Sequence, residues 1–327
     1  MTSGGQAGRR ALGVALALTG GVATLMNGNG PATSAPLAEA KGAYVSFENA
    51  PFPYRGIIPR KDIPFIDTVE NGRHGHTSPR AGKVYWEDET YSDRRSLIYV
   101  PKGFDIDHPA VIVVFFHGNQ ATLSRDVVDR QRVPHQVAKS GLNAVLLAPQ
   151  FAVDALDSSS GNFWTPGIFA RYLDEAAGRI ASVYGDESKA SAFAKLPVVI
   201  VAYSGGYNPA AFAVGVGGAA DRILGLVLLD AVYAEEDQFA GWIAANKESA
   251  FLFSAFTESA AANNAVLRQL LTERGTRFSR RLPSKLTPGT VAFFATDPDL
   301  VHDDFVTHAW VDDPVAWTLS RVPGYRR

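Results

Sequence analysis

Short, uninterrupted apolar runs separated by segments with helical spacing constrain this chain more than any other feature of its sequence. The runs cover residues 110–116, 144–148, 198–202 and 223–229, and residues 250–256 and 290–295 have the same character. Runs of this length without polar alternation are typical of parallel strands buried on both faces. Helical periodicity lies between them, at residues 123–140, 168–184, 209–218, 235–246 and 260–275. The alternation predicts an α/β fold with a mainly parallel, doubly wound sheet flanked by helices.

The segments before this alternation have a different pattern. Residues 83–91 and 95–100 alternate polar and apolar side chains, which predicts an antiparallel pair at the start of the sheet. Residues 41–82 are rich in Pro, Gly and aromatic residues, so we expect an irregular arm that either covers apolar surface or borders the functional site. One domain is predicted over residues 83–327, and the long insertion at 151–169 is a candidate lid.

The N-terminus has the layout of a signal peptide over residues 1–40. Arg9-Arg10 precedes an uncharged run at 11–26, and Ala38-Glu39-Ala40 offers an A-x-A-like cleavage site, with cleavage at Ala35 as the other candidate. The run is short for a transmembrane helix, so no membrane span is expected after its removal. The predicted location is therefore periplasmic or secreted, and the paired arginines leave twin-arginine export open.

Composition excludes several classes of function. The chain has no cysteine, which rules out disulfides, thiolate metal ligands and a cysteine nucleophile. The net charge is −2 and the sequence has no cluster of basic residues, so nothing in its charge indicates a nucleic-acid-binding surface. No P-loop, dinucleotide-binding or H-E-x-x-H motif occurs at a position in the predicted strands and helices where it could bind its ligand. No cofactor is therefore expected. The acidic residues around His302 are the one candidate cation site, and a solvated loop is the better interpretation of them.

The strongest functional signal is Ser204, in the segment Ala202-Tyr203-Ser204-Gly205-Gly206 between an apolar run and a helical segment. A nucleophile on a sharp strand-to-helix turn needs small residues two positions to either side, because the backbone approaches neighbouring strands there. Ala202 and Gly206 meet this requirement. The alternative is a structural turn in which Ser204 caps the following helix.

This segment resembles the nucleophile elbow of the α/β-hydrolase family, with Ala202 in place of its first glycine. A second motif, His117-Gly118-Asn119, follows the run at 110–116, and the resemblance implies that this loop supplies an oxyanion-hole N–H. The predicted oxyanion hole comprises Gly118, Asn119 and Gly205, with Gln120 as an alternative donor to Asn119. His117 is expected to brace the loop.

The resemblance also places a catalytic histidine after the last strand and an acid between the serine and that histidine. His302 follows the last apolar run most closely, and His308 is the second candidate, in what looks like a helix. Asp230 and Glu258 each follow an apolar run and remain nearly equal candidates for the acid, with Asp297 as a third option.

These residues together predict a serine hydrolase that cleaves a carboxylic ester, or a related acyl bond of a small-molecule substrate, through an acyl-enzyme. A peptidase, an amidase or an acyltransferase could use the same residues. A non-catalytic binding protein of the same fold is the alternative from another class. Five aromatic residues are candidates either for an acyl pocket or for the core: Phe151, Phe163, Trp164, Phe169 and Tyr207.

Overall fold

A mixed β-sheet forms the centre of this computed structural model, which describes Met1 and residues 36–327. The strands are β1 (Lys41–Ser46), β2 (Ile57–Ile58), β3 (Ile63–Pro64), β4 (Thr68–Glu70), β5 (Arg73–Ser78), β6 (Lys83–Trp86), β7 (Arg95–Val100), β8 (Val111–Phe116), β9 (Ala144–Pro149), β10 (Val198–Tyr203), β11 (Ile223–Leu229), β12 (Phe251–Phe256) and β13 (Val291–Ala295). The helices are α1 (Glu87–Thr90), α2 (Val133–Lys139), α3 (Ile168–Tyr184), α4 (Ala190–Phe193), α5 (Tyr207–Gly215), α6 (Glu236–Asn246), α7 (Ala261–Glu273) and α8 (Pro314–Leu319).

The central sheet has eight strands in the order β1-β7-β9-β8-β10-β11-β12-β13. β7 pairs antiparallel with β1 and with β9. The other six strands, β8 to β13, run parallel to one another. The predicted mainly parallel sheet with an antiparallel start is therefore confirmed. Because these strands run in the same direction, their carboxyl ends meet at one edge of the sheet.

Both faces of this sheet are buried, which explains the uninterrupted apolar runs. In β8, Ile112, Val114 and Phe116 belong to one hydrophobic cluster, whereas Val111, Val113 and Phe115 belong to the other. Helices α3, α5, α6 and α7 contribute to the first cluster, and α2 and α8 contribute to the second. Each strand side chain thus reaches a helix layer, as a doubly wound sheet requires.

The partner predicted for β7 is wrong. Residues 83–86 form β6, which pairs with β5, and the chain then enters α1 instead of continuing as a strand. β7 pairs instead with β1, from the segment expected to be irregular. Alternation within a strand indicates that one face is buried but does not identify its neighbour, and the Glu-Asp-Glu-Thr segment of α1 stops β6 early.

The arm over residues 41–82 is more regular than its composition indicates. It contributes β1 to the central sheet, and it also forms the β2–β3 hairpin and most of the small β4–β5–β6 sheet. Phe47, Phe52 and Phe65 are each at most 1% exposed, and burial of each stabilises the fold by about 1.5–3 kcal/mol. The arm is thus part of the core, and the same segment also lines the cleft described below.

The long helix predicted over residues 123–140 is divided in two. Leu123–Arg130 is a π-helix, and α2 begins at Val133 after Arg132 adopts a φ of 50°. Pro134, in the first turn of α2, lacks the N–H that a continuous helix would need and is tolerated at a helix start. Apolar spacing continues across this break, which is why periodicity alone missed it.

The predicted signal peptide falls almost wholly on residues 2–35, which lie outside the described residues. Within the described part of the chain, no helix combines the length and apolar character needed to cross a bilayer.

Candidate active site

Ser204 lies on a sharp turn between β10 and α5. β10 ends at Tyr203, residues 204–206 form a single 3-10 turn, and α5 begins at Tyr207. Ser204 has a φ of 51°, in the left-handed region, where a residue with a Cβ is disfavoured by roughly 1–2 kcal/mol. The surrounding structure holds this conformation, and it leaves the half-buried serine at the carboxyl edge of the sheet.

Gly206 is required because the turn presses against the end of β8. A Cβ added at Gly206 would lie 2.4 Å from the carbonyl oxygen of Phe116. Backbone of a central strand cannot move to relieve this contact as a flexible side chain could. The small residue expected two positions after Ser204 therefore has a steric cause in the fold.

We expect Gly206→Ala to destabilise the protein by about 1–3 kcal/mol, as overpacking of a close contact does. The free energy of unfolding, measured by urea titration, checks this. Gly178→Ala is the matched control, because Gly178 lies within α3 and an added Cβ meets no atom within 4 Å. That change is expected to stabilise by about 0.5–1 kcal/mol through helix propensity. Equal effects of the two substitutions would contradict the proposed contact.

The structure brings Ser204, His302 and Asp230 into one hydrogen-bonded chain. Ser204 Oγ lies 2.7 Å from His302 Nε2, and His302 Nδ1 lies 2.5 Å from Asp230 Oδ2. A carboxylate can only accept, so Nδ1 carries the proton and Nε2 is left to accept from the serine hydroxyl. The ring of Tyr203 stacks on His302 at 5.1 Å between centroids, and Tyr203 donates from its hydroxyl to the His302 carbonyl.

Asp230 is fully buried but well supplied with donors. Its carboxylate accepts from the Thr257 N–H at 2.8 Å, from the Thr257 hydroxyl at 2.9 Å, and from Tyr233 and Ser259 at 3.2 Å. Burial alone would raise the pKa of Asp230, but the hydrogen bonds from His302 and Thr257 outweigh it and hold the pKa below its ordinary value. Asp230 is therefore ionised and can orient a histidine.

The other sequence candidates lie apart from this chain of contacts. Glu258 is exposed on the short 3-10 turn after β12 and does not contact His302. His308 is in an irregular loop, not a helix, and faces Asp312 at 3.9 Å. Asp297 is exposed in the loop after β13, where it caps the N–H of Asp299. Within residues 36–327, no three His, Asp or Glu side chains converge as a metal site.

The loop after β8 lies against the serine turn. His117 is buried, its Nδ1–H donates to the Gly118 carbonyl at 2.7 Å, and its Nε2 accepts from the Phe151 N–H at 2.9 Å. Burial lowers the pKa of His117, which keeps the ring neutral in this bracing position. A Cβ on Gly118 would lie 2.9 Å from Ser204 Cβ, so glycine allows the close approach.

The candidate oxyanion donors differ in their contacts. The Gln120 N–H already donates to the Ala155 carbonyl at 2.8 Å, which removes it as an alternative. Asn119 and Gly205 adjoin each other, since a Cβ on Gly205 would lie 2.1 Å from the end of the Asn119 side chain. The Asn119 amide satisfies its neighbours when its nitrogen donates to the Asp157 carbonyl at 2.8 Å and its oxygen accepts from Arg80 Nη1 at 3.1 Å.

A cleft of about 640 Å³ opens beside the serine turn, between the arm, the insertion at 151–169 and the start of α5. Trp164 and Tyr207 line it, whereas the other three aromatic candidates, Phe151, Phe163 and Phe169, are buried in the core. The insertion is hydrogen-bonded to the segment after β1, because the Asn162 amide donates to the carbonyls of Ala50 and Pro53 at 2.9 Å. It forms a fixed wall of the cleft in this structure.

The order of the strands, and the strands that Ser204, Asp230 and His302 follow, identify the fold. Counting only the strands of the central sheet, their spatial order is 1-2-4-3-5-6-7-8, with Ser204 after the fifth, Asp230 after the sixth and His302 after the eighth. The chain has the α/β-hydrolase fold. No protein-family model and no curated protein sequence matches it.

Several solved structures resemble this fold at low identity. A feruloyl esterase module from Clostridium thermocellum is 13% identical, with a TM-score of 0.46 over 86% of this chain and 95% of that one. An S-formylglutathione hydrolase from Agrobacterium tumefaciens is 12% identical, with a TM-score of 0.43 over 78% and 97%. A dienelactone hydrolase from Anabaena variabilis is 14% identical, with a TM-score of 0.41 over 71% and 92%.

Two residues of the site were missed from the sequence. Thr257 is the first residue after β12 and binds Asp230 through both its N–H and its hydroxyl. Tyr233 lies three residues after Asp230, and its hydroxyl is also 3.3 Å from His302 Nδ1. Burial raises the pKa of Tyr233 to about 12, so the hydroxyl remains a donor at neutral pH. The available signal was position alone, since polar residues that end buried strands gather at one edge.

Proposed function

We propose that this protein is an exported serine hydrolase that cleaves a carboxylic ester through an acyl-enzyme on Ser204. The observation that carries the proposal is the continuous Ser204–His302–Asp230 chain of hydrogen bonds, with separations of 2.7 and 2.5 Å. Such a chain activates a hydroxyl whose own pKa is far too high for attack at neutral pH. Export belongs to the same proposal and rests on the sequence of residues 1–40.

In the acylation step, Ser204 Oγ attacks the ester carbonyl carbon while His302 Nε2 takes the hydroxyl proton. The carbonyl oxygen becomes negative, and the N–H groups of Asn119 and Gly205 are the proposed donors that stabilise it, each contributing about 3–4 kcal/mol. The imidazolium is stabilised by ionised Asp230. Collapse of the tetrahedral intermediate breaks the bond to the alcohol oxygen, which takes the proton from Nε2 as it leaves.

Deacylation repeats these steps with water as the nucleophile. The water oxygen attacks the acyl carbon while His302 Nε2 takes a proton from the water. His302 then returns this proton to Ser204 Oγ as the bond between Oγ and the acyl carbon breaks. The products are a carboxylic acid and free enzyme. All the catalytic groups belong to this chain, and the steps balance with the ester and water as the reactants.

Covalent labelling with a fluorophosphonate probe tests the proposal directly. The probe bonds to an activated serine Oγ and releases fluoride, so we expect label on the native protein and none after heat denaturation. Trypsin cleavage after Lys195 and Arg222 gives a peptide of residues 196–222 in which Ser204 is the only serine. Mass spectrometry should find the label there. Absence of labelling, or label confined to another peptide, would contradict the proposal.

A further inference from the structure

The cleft beside Ser204 is lined by two cations that the mechanism does not use, Lys61 and Arg80, and only Arg80 contacts Asn119. Arg80 lies in the loop between β5 and β6, is exposed, and lines the cleft. Its Nη1 donates at 3.1 Å to the Asn119 amide oxygen in the amide orientation that satisfies the neighbours of Asn119. The other end of that amide adjoins Gly205, the residue after the nucleophile. No carboxylate within residues 36–327 lies close enough to Arg80 to form an ion pair.

The acidic side chains of the same cleft are already engaged elsewhere. Asp157 accepts from the Tyr91 hydroxyl and from Ser159, both at 2.7 Å. Asp67 accepts from the N–H and the hydroxyl of Thr77, at 2.8 and 2.9 Å. Glu235 pairs with Arg60 at 2.9 Å. The carboxylates therefore have partners within the protein, and none of these partners is the exposed Arg80 guanidinium.

The charge of Arg80 acts on the site itself. Burial raises the pKa of Tyr233, and the positive charge of Arg80 partly opposes this rise. Tyr207 shows the same opposition, with burial raising its pKa and Arg80 acting against it. Both hydroxyls belong to residues around the serine turn, so a ligand bound there is within the field of this guanidinium.

The rest of the cleft is suited to a carbon chain. Ile58, Trp164 and Phe212 supply apolar surface to the wall of the cleft. None of the cleft-lining residues comes from the His302 loop. Because His302 protonates the departing alcohol, the alcohol leaves on the His302 side, and the cleft is left to hold the acyl chain.

We propose that Arg80 is a specificity-determining residue that selects esters whose acyl chain ends in an anionic group, a carboxylate or a phosphate. This inference rests on the proposed function. A guanidinium presents its donors in a planar fork that matches either anion bidentately, and the apolar walls hold the chain that joins the anion to the ester. A neutral ester of the same length offers no anion to the Arg80 N–H groups, which would then remain hydrogen-bonded to water.

Matched esters test the inference with the full chain. The anionic substrate is 4-nitrophenyl hydrogen glutarate, and its methyl ester is the neutral counterpart. We expect Arg80→Gln to lower the ratio of kcat/KM for the anionic ester to kcat/KM for the neutral ester roughly 10- to 100-fold, the range for a lost hydrogen bond to a charged group. Arg80→Lys should retain part of the preference. Arg94→Gln, an exposed arginine outside the cleft, should retain all of it.

The outcomes separate the two proposals. An equal loss for both esters, or no loss for either, would overturn the role of Arg80. Hydrolysis that survives in Ser204→Ala would instead contradict the proposed function. The ester of 4-phosphonobutanoate distinguishes phosphate from carboxylate as the preferred anion. Calorimetric titration of methyl hydrogen glutarate into Ser204→Ala, with and without Arg80→Gln, makes the charge readout independent of turnover. Equal binding by both proteins would overturn the inference.

Discussion

Replacement of Ser204 by alanine is expected to lower kcat for 4-nitrophenyl butyrate by roughly 10⁴–10⁶-fold, the scale measured when a triad nucleophile is removed. The alanine removes only Oγ, and with it the atom that lies 2.7 Å from His302 Nε2. It keeps the Cβ and the φ of 51°, so the fold should not change. Steady-state kinetics with circular dichroism of the same samples checks both statements.

A matched serine and a second substitution make this result specific. Ser191 is exposed on α4, and Ser191→Ala should leave kcat unchanged. Ser204→Gly should be as inactive as Ser204→Ala but more stable by roughly 1 kcal/mol, because glycine adopts a positive φ without the Cβ clash. Retention of activity in Ser204→Ala would disprove the proposed mechanism. Equal stability of the two variants would disprove the strain.

Asp230→Asn is expected to lower kcat by about 10³–10⁴-fold, whereas Glu258→Gln should leave it near the wild-type value. The asparagine cannot hold the Nδ1–H tautomer of His302 as an ionised carboxylate does, and it cannot stabilise the imidazolium. Glu258 is exposed and lies apart from His302, so neutralising it changes no contact among Ser204, His302 and Asp230. Kinetics of the two variants under one condition makes the comparison. Similar losses in both would contradict the assignment of Asp230.

The free energy of unfolding gained from Asp230 should depend on pH. Asp230 has a folded-state pKa below the ordinary value of 3.8. Its ionised form therefore stabilises the fold above that value, and the contribution is lost as pH falls through the folded-state pKa. Urea unfolding should show the stability advantage of wild type over Asp230→Asn at neutral pH and a smaller one in acid. An advantage independent of pH would mean that burial of Asp230 acts through packing alone.

The strand pattern was largely readable from the sequence. β8, β9, β10, β11, β12 and β13 lie where uninterrupted apolar runs predict them, because a strand buried on both faces has no room for polar alternation. The edge of the sheet was harder. β1 comes from a Pro-rich and aromatic-rich segment, and its pairing with β7 depends on contacts between residues far apart along the chain.

The site followed the same division. The sequence by itself determined that Ser204 stands on a strand-to-helix turn and that His302 follows the last strand, because small residues and strand ends are local signals. Only the tertiary structure shows that Asp230, and not Glu258, contacts His302, that the Gln120 N–H donates to Ala155, and that Arg80 lies against Asn119. Both acids end apolar strands, so their local patterns are equivalent. What separates them is which carboxylate the packing of β11 and β12 buries against the histidine, and distance between side chains on different strands is a property of the folded sheet.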